Sequence, residues 1–391
     1  TKNTLSSVYK LGFCLIGDPA VKMAYPEFGM KVTTVNGQSV DGNSISFKAL
    51  EKITVEGEVL DASGQLVTDF TGIVNPTVKD SKVTVTCLKN SNKDDSPAFT
   101  FTDYPNTIFI GNDSVRNGKF SFTFTVPKDI SYSNLQGKMN LYAVDTESGN
   151  EAQGNFDNFI VGGTSDTAET DTIGPEIRAL YLNDTTFVDG GQVNTTPYFV
   201  AELWDKSGVN ITGSSVGHDM MLVIDESTVL SYNLNSYYEL LLGEDGTGIV
   251  KFPIPALEPG KHTAEFWVWD ILNNSTVRTF TFEVVEGLKP FLFDVIATPG
   301  IAREQVTFHL MHNRPESRMR VGIMVYDLAG RQLWKHEESG TSGLFENYTV
   351  SWDLTSGGAR MRPGVYIYRA AISTDNSKDA TKARKFIILG E

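Results

Sequence analysis

The sequence predicts an all-β protein built from three tandem antiparallel β-sandwich domains. Short stretches of alternating apolar and polar residues recur along the chain, and turn-forming residues separate them. The composition supports the same class, because 35 glycines and 11% aromatic residues suit strands and turns. With 391 residues, the chain is too long for a single sandwich.

We predict the first sandwich over residues 27–162. Ile53–Val59 alternates between apolar and polar residues and is followed by a turn sequence. A second alternating stretch begins at Lys82, and the polar insert from Lys89 to Pro105 is expected to be a loop. The strand side chains expected to share a face or a core are Val83, Val85 and Cys87 in one set and Phe120, Phe122 and Phe124 in another.

Residues 163–174 are the predicted linker, because the stretch 163–171 contains no large apolar side chain. We predict the second sandwich over residues 175–287. It contains strand-like phrases at Tyr198–Trp204 and Gly260–Asp270, each followed by turn residues. The alternation places Trp267 and Trp269 on one face, which we expect to be core.

The third sandwich is predicted over residues 288–391. Val321, Ile323 and Val325 share one face of a strand that ends at the turn Asp327–Gly330. The later strands are expected at Arg331–Glu337, Tyr348–Asp353, Val365–Ala371 and Lys382–Leu389.

The net charge of −15 is unevenly distributed along the sequence. From Pro290 onward there are 13 basic and 11 acidic residues, which leaves 20 basic and 37 acidic residues in the first 289 positions. Such an acidic region repels phosphate backbones, so nucleic-acid binding is disfavoured. No window of about twenty apolar residues exists, so we expect no transmembrane helix.

No residue set meets the requirements of a catalytic, metal or cofactor site. His218-Asp219 pairs a base with a carboxylate but has no nucleophile beside it, so a structural role is favoured. Glu244-Asp245-Gly246 is more typical of a turn than of a calcium loop, and His309 and His312 lack a third ligand. The two cysteines, Cys14 and Cys87, are expected to be buried small hydrophobic residues.

Ordered motifs in the third domain resemble the type IX secretion sorting domain of Bacteroidetes. They are Tyr326–Arg331, Trp352-Asp353, Gly364–Tyr366 and the closing basic-then-aliphatic strand. Members of that family usually begin with Pro-Asn-Pro, whereas Thr298-Pro299-Gly300 occupies the corresponding position here. A generic immunoglobulin-like terminal module is the alternative.

Two other stretches resemble gingipain-like cysteine peptidases. Leu15–Pro19 and Tyr25-Pro26 are similar to the end of the peptidase domain, which implies that residues 1–26 are a remnant of an α/β peptidase domain. Val216–Asp225 resembles a phrase in a gingipain-like type IX secretion sortase. The phrases around Trp204 and Trp267 resemble extracellular immunoglobulin-like repeats, so the fold class implied is three immunoglobulin-like sandwiches after the peptidase remnant.

These resemblances imply the non-catalytic C-terminal region of a sortase that removes sorting domains from secreted cargo and attaches the cargo to the cell surface. The Cys-His dyad of the family would lie upstream, so cargo would meet the peptidase domain and not this chain. The third domain is expected to dock on an outer-membrane β-barrel at the extracellular face. The residues predicted to dock are Asp327, Gly330, Arg331, Arg360, Arg362, Gly364, Tyr366, Lys382, Arg384 and Lys385.

Two alternatives stay open from the sequence. The chain could belong to a secreted gingipain-like protease whose sorting domain is removed, or to a surface adhesin or glycan-binding protein.

The triplets at 166–168 and 171–173 also resemble Bacteroidetes O-glycosylation sites.

Overall fold

The computed structural model describes residues 25–89, 97–166, 171–213, 217–241, 246–374 and 376–390. Within these ranges the chain forms β-strands and one turn of 3-10 helix at Asn235–Tyr237. The predicted all-β class is confirmed. The strands form three consecutive blocks, and each block has its own cluster of buried hydrophobic side chains.

The first block extends from Phe28 to Thr164. Its strands are β1 (Phe28–Val35), β2 (Gln38–Ser39), β3 (Ile45–Ala49), β4 (Lys52–Leu60), β5 (Gly72–Lys79), β6 (Val83–Thr86), β7 (Thr100–Asp103), β8 (Thr107–Ile110), β9 (Asp113–Arg116), β10 (Lys119–Thr125), β11 (Leu135–Gln136), β12 (Lys138–Asp145), β13 (Glu151–Phe156) and β14 (Phe159–Thr164). The last strand extends two residues into the predicted linker.

The main sheet of the first block closes on itself. Its order is β12-β13-β1-β4-β10-β9-β5, and β5 pairs again with β12 along its whole length. A separate sheet, β11-β14-β3, packs against this circuit, because the rings of Phe47 on β3 and Phe124 on β10 lie 5.9 Å apart. The circuit is closed where the sequence predicted two open sheets, and closure removes edges that would otherwise be exposed.

The aromatic side chains predicted to share a face of the first block lie in its core. Phe120, Phe122 and Phe124 are 3%, 3% and 5% exposed. The strand that carries them, β10, follows a tight turn in which Asn117 and Gly118 adopt φ values of 53° and 72°. These positive values are typical of the type I′ hairpin turn that the Asn-Gly sequence favours.

A two-stranded ribbon, β6 and β7, is separate from the two sheets of the first block. The predicted loop from Lys89 to Pro105 therefore contains a strand, Thr100–Asp103. Cys87 is exposed, so the prediction that it is a buried core residue is wrong. Val83 and Val85 alternate with exposed residues along β6, but their face is not covered by a core, since Phe101 opposite Val85 is itself 43% exposed.

The second block extends from Glu176 to Val284. Its strands are β15 (Glu176–Leu182), β16 (Gln192–Val193), β17 (Tyr198–Trp204), β18 (Met221–Ile224), β19 (Ser231–Asn233), β20 (Tyr238–Leu240), β21 (Thr247–Pro253), β22 (Gly260–Trp269) and β23 (Ser275–Val284). They form two sheets, β15-β17-β21-β20 and β16-β23-β22-β18-β19. The rings of Phe199 and Phe266, one from each sheet, lie 5.0 Å apart in the shared core.

The core face of β22 is the opposite of the one predicted. Ala264, Phe266 and Val268 are at most 1% exposed, whereas Trp267 and Trp269 lie on the outer face and are half-buried. Both faces of this strand carry apolar residues, so periodicity alone did not distinguish the core face from the outer face.

The third block extends from Leu292 to Ile388. Its strands are β24 (Leu292–Thr298), β25 (Ile301–Ala302), β26 (Val306–His312), β27 (Met319–Tyr326), β28 (Gln332–Gly340), β29 (Tyr348–Trp352), β30 (Thr355–Ser356), β31 (Ala359–Arg360), β32 (Gly364–Ser373) and β33 (Ala380–Ile388). The sheets β24-β26-β29 and β25-β33-β32-β27-β28 enclose the core, and β30 pairs with β31. Val321, Ile323 and Val325 are fully buried, as predicted.

Strand pairing is mixed, which corrects the prediction of purely antiparallel sandwiches. Parallel pairs join β1 to β13, β3 to β14, β16 to β23 and β25 to β33. In the second and third blocks, a two-residue strand near the start of the block lies beside the final strand. These short strands occupy part of an edge that would otherwise be open.

Some predictions concern positions outside the described residues. They include Cys14, the peptidase remnant up to residue 24, the centre of the linker at 167–170, Val216 and the Glu244-Asp245 pair.

Candidate functional sites

The predicted docking turn joins β27 to β28. Its Asp327 carboxylate accepts hydrogen bonds from the backbone N–H groups of Ala329 and Arg331 at 3.0 and 2.9 Å. The Arg331 guanidinium pairs with the same carboxylate at 3.1 Å, and Gly330 adopts a φ of 83°. The backbone hydrogen bond from Arg331, followed by its side chain, lowers the pKa of Asp327. The Arg331 charge is therefore paired inside the turn.

The basic residues of the last strand divide between the two sides of β33. Lys382 donates to the backbone carbonyl of Phe293, and Arg384 bonds both carboxylate oxygens of Asp294 at 2.9 and 3.1 Å. Both partners lie on β24, so these two side chains tie the two sheets of the block together. Lys385 lies on the opposite side of the strand and is exposed.

The other predicted docking residues lie around the start of β32. Arg360 donates to a backbone carbonyl in the loop after β25, and the Arg362 carbonyl accepts the Tyr366 hydroxyl at 2.7 Å. Gly364 is the first residue of β32. Tyr366 is 8% exposed, and its ring lies 6.0 Å from that of Phe386 in the core. We therefore correct the assignment of Tyr366: its ring is a core element that fixes the preceding loop.

Four exposed aliphatic side chains lie together on the outer face of the same sheet. Val365 is opposite Ile387 in the β32–β33 pair, and Ile301 is opposite Ile387 in the β25–β33 pair. Leu389 lies two residues beyond Ile387 and so projects to the same side. The exposed fractions of Ile301, Val365, Ile387 and Leu389 are 54%, 41%, 36% and 37%. We call these four residues the outer patch, and Lys385 gives it a positive border.

Three aspartates from separate segments meet in the second block. Asp171 lies in the predicted linker, Asp205 follows β17 and Asp270 follows β22. One carboxylate oxygen of each lies within 4.8 Å of the other two. From the sequence, Asp205 was predicted to lie in a turn and Asp270 at the end of a strand. Both strands end in a Trp-Asp pair, which is the one feature of the sequence that links them. A repeated pair does not show that the two strand ends lie close together.

Burial and mutual repulsion determine the ionisation of these carboxyls. Burial, with a smaller contribution from the charges of Asp270 and Asp171, raises the pKa of Asp205 to about 6. Burial also raises the pKa of Asp270, whereas the backbone N–H of Ile173 lowers the pKa of Asp171. Around neutral pH the cluster holds negative charge in a poorly solvated position.

Such a cluster can hold either a proton or a hard cation. A calcium ion takes six to eight oxygen ligands, of which these three carboxylates could supply part. Much of the carboxylate hydrogen-bonding capacity is already used by the turns: Asp205 Oδ1 accepts from Ser207 and Gly208, and Asp270 Oδ1 accepts from Leu272 and Asn274. The structure brings these acidic side chains together where the sequence predicted no metal site.

The histidine and aspartate that looked most catalytic in the sequence do not pair with each other. His218 Nδ1 lies 2.6 Å from Asp129 Oδ2 in the first block, and its ring packs 4.5 Å from that of Trp269. Asp219 instead accepts a hydrogen bond from Asn235 at 2.7 Å. His218 therefore links the first and second blocks.

No family model matches the chain, and no curated protein matches it. Among solved structures, dimeric latent PorU from Porphyromonas gingivalis matches with 37% sequence identity over 96% of this chain, at a TM-score of 0.43. The chain resembles PorU. The match covers 35% of the PorU chain, so this chain spans about a third of its length. The similarity supports a PorU-like C-terminal region.

More distant structures share much less with the chain. The tetra-tandem repeat in the extending region of a large adhesion protein is 14% identical over 93% of this chain and 74% of that chain, with a TM-score of 0.19. The N-terminal Ig1-2 module of the Drosophila receptor protein tyrosine phosphatase DLAR is 9% identical over 56% of this chain and 100% of that chain, with a TM-score of 0.22. Neither carries an argument about function.

The similarity to PorU gives context to the sequence motifs without assigning a role to individual side chains. Val216–Asp225 was the phrase that most resembled a sortase, and its described part includes His218, which links two blocks, and the strand β18. In the part of the chain that the structure describes, no helix combines the length and apolar composition needed to span a bilayer.

Proposed function

We propose that this chain is the non-catalytic C-terminal region of a PorU-like type IX secretion sortase. The observation that carries the proposal is 37% identity to PorU over 96% of the chain. The whole protein would remove sorting domains from secreted cargo and attach the cargo to the cell surface, using a peptidase domain upstream of this chain. The chain itself would position that domain and dock it at the extracellular face of the outer membrane.

In this proposal the first block, with its closed sheet, and the immunoglobulin-like sandwich of the second block precede a terminal sorting domain, and residues 1–26 are the end of a gingipain-like peptidase domain. The separate hydrophobic clusters support the division into three domains. The ordered motifs in the third block support the sorting-domain assignment, since Asp327 forms its turn and Trp352 and Tyr366 lie in its core.

The docking partner that we propose is the outer-membrane β-barrel PorV. The outer patch and Lys385 are the most suitable contact surface on the third block, because their side chains are exposed and lie on one face. Lys382, Arg384 and Arg331 are less suitable, since each is engaged within the block. Apolar side chains with a charged border are the usual composition of a specific interface.

Deleting residues 382–391 would not test docking cleanly. The deletion removes Phe386 and Ile388, which are 2% and 1% exposed, and leaves β32 without a neighbour on one side. We expect the third block to unfold. Substitutions on the exposed face avoid this problem.

The test is co-purification of the full-length parent protein with PorV from outer membranes. The double variant Val365→Glu/Ile387→Glu should lose most of the PorV signal while its thermal unfolding is nearly unchanged. Ile296→Glu is the matched control, because Ile296 is 48% exposed on β24, in the other sheet of the same block. Retention of PorV by the double variant at the wild-type level would refute docking through the outer patch.

A further inference from the structure

A cleft of about 220 Å³ lies between the second and third blocks. Its walls come from Tyr181 on β15, Phe293 on β24 and Met311 on β26, and from the loop that joins β28 to β29. The volume suits one long side chain of a partner rather than a whole small molecule. The cleft shares no residue with the outer patch.

The loop from β28 to β29 both holds the blocks together and forms the rim of this cleft. Leu344 packs against Tyr181, Val200 and Ile249 on the outer face of the second block. The next residue, Phe345, points the other way and is 73% exposed. Its φ of 66° lies in the left-handed region, which is unfavourable for a bulky side chain and is often found at binding sites.

The carboxylates in the lining of the cleft are its negatively charged groups. Asp184 and Glu346 line it, and the described lining residues include no Lys or Arg. Glu346 Oε2 accepts the backbone N–H of Gly343 at 3.1 Å, and Asp184 Oδ1 accepts the backbone N–H of Thr186 at 2.7 Å. One oxygen of each carboxylate is thereby oriented, and the other takes no hydrogen bond from the described residues.

The histidine in this cleft does not supply a compensating charge. Burial, followed by the charge of Arg314, lowers the pKa of His312 to about 4. Its ring accepts the backbone N–H of Arg314 at Nδ1, 3.1 Å away, and Nε2 lies 2.9 Å from the Ser342 hydroxyl. The neutral ring satisfies both contacts, so His312 adds no charge to the cleft near neutral pH. The Arg314 guanidinium is 1% exposed and does not line the cleft, whose charged lining residues are Asp184 and Glu346.

We propose that the cleft binds a cationic side chain, an arginine or lysine on a peptide segment of a partner. An aromatic face attracts a cation by its quadrupole, and a carboxylate adds a charge-assisted hydrogen bond. Phe345 and Phe293 would supply the aromatic faces, and Glu346 and Asp184 the acceptors. The planar guanidinium of arginine suits both interactions and is the preferred ligand.

The probe is the tetrapeptide Ala-Phe-Arg-Ala, blocked at both ends, titrated into the 391-residue chain by calorimetry. The matched peptide contains citrulline, which keeps the shape of arginine and removes its charge. We expect the arginine peptide to bind at least about tenfold more tightly, the factor that corresponds to one charge-assisted contact. Free L-arginine distinguishes a site for the side chain alone from one that also needs the peptide.

Three variants test the residues of the cleft. Phe345→Asn removes the ring and places a residue tolerated at positive φ, so it should weaken binding without loss of thermal stability. Glu346→Gln and Asp184→Asn keep the loop hydrogen bonds and remove the charges, and each should weaken binding about fivefold or more. Leu328→Asn is the control for Phe345, since Leu328 is 66% exposed in a distant turn. Glu304→Gln, on the surface of the third block, is the control for charge.

Equal binding of the citrulline and arginine peptides would overturn the proposal, as would no binding at millimolar concentration. Self-association of the chain that Phe345→Asn abolishes would also overturn it, because the cleft would then be a contact between copies. The test is independent of the PorV experiment, so one can fail without the other.

Discussion

The Asp205 carboxyl is 4% exposed, yet it accepts two backbone hydrogen bonds that favour its ionised form. Burial is the larger effect, and neighbouring carboxylates add to it, so its pKa rises to about 6. In the unfolded chain the ordinary value is 3.8. Below pH 3.8 both states bind the proton. Between 3.8 and about 6 the unfolded state ionises first, so the folded second block loses stability as the pH rises through this range.

We therefore expect Asp205→Asn to flatten the pH dependence of the second block. The amide keeps an oxygen for Ser207 and Gly208 and cannot ionise. After allowance for solvent screening, the wild-type loss across this window should be about 1 to 2 kcal/mol. Thermal unfolding followed by fluorescence of Trp204, Trp267 and Trp269 measures it. An unchanged slope in the variant would contradict the assignment to Asp205, and Asp61→Asn in the first block is the control.

The His312 imidazole predicts the opposite pH response in the third block. Its pKa falls from 6.5 to about 4 on folding, chiefly because of burial. Above pH 6.5 both states are neutral and stability is complete. As the pH falls towards 4, the unfolded state binds a proton that the folded state rejects, so stability decreases by on the order of 3 kcal/mol. Unfolding of the third block, followed by Trp334 and Trp352, should show this loss in the wild type and not in His312→Asn.

At the scale of a strand, β4 is the centre of the first block, because β1 and β10 pair on its two sides. Gly57 is a residue of β4 that pairs with both of these neighbouring strands. A Cβ atom there would lie 2.2 Å from the Phe120 ring and 2.5 Å from the Lys31 carbonyl. The backbone oxygen cannot move without breaking the sheet, so no larger residue fits.

Gly57→Ala should lower the free energy of unfolding of the first block by about 1 to 3 kcal/mol, the usual cost of overpacking. Gly29→Ala is the matched control, because its Cβ would meet only the Leu60 carbonyl at 3.8 Å, an ordinary contact. Denaturant unfolding of both variants measures the difference. Equal stability of the two variants would show that the sheet relaxes around residue 57.

The sequence predicted strands best where one face is apolar and the other polar. β10 has that pattern, and its buried residues, such as Phe122, were assigned correctly. In β27 the buried face that carries Ile323 was also assigned correctly, although Met324 and Tyr326 lie on the other face. β22 has apolar side chains on both faces, so Trp267 was placed in the wrong layer. The pairing of β5 with β12 depends on contacts far apart in sequence, which local alternation does not encode.

The candidate sites were less predictable than the strands, for a related reason. Asp171, Asp205 and Asp270 are separated by at least 34 residues, and each alone is an ordinary turn residue. Phe345 and Asp184 line one cleft from two different blocks. Only the motif-based residues, such as Arg331, were identified from sequence, and the structure shows that several of them are engaged within the third block.

For the whole molecule, contacts between blocks decide whether the chain behaves as one body. The first and second blocks meet through polar contacts and through Ile110 of the first block, which packs against the core of the second. Asn112 donates to the Leu240 carbonyl at 2.6 Å, and the Asp129 carboxylate accepts from Asn273 and lies 2.6 Å from His218 Nδ1. The second and third blocks meet through Leu344. Each contact between these blocks contributes modest stability, but together the contacts couple the unfolding of the first block to that of the second.

A double-mutant cycle on Asp129 and His218 tests this coupling. Each side chain is largely buried at the junction, with 13% and 28% of its surface exposed. We expect Asp129→Asn and His218→Gln each to lower the unfolding temperatures of both the first and the second block. The double variant should fall little further, with an interaction energy of about 0.5 to 2 kcal/mol. His262→Gln is the matched control, because His262 lies 2.7 Å from Asp225 within the second block, and its loss should leave the first block unchanged. Additive effects of the two junction variants would mean that this pair does not couple the blocks, and that the remaining contacts alone position the first block beside the second.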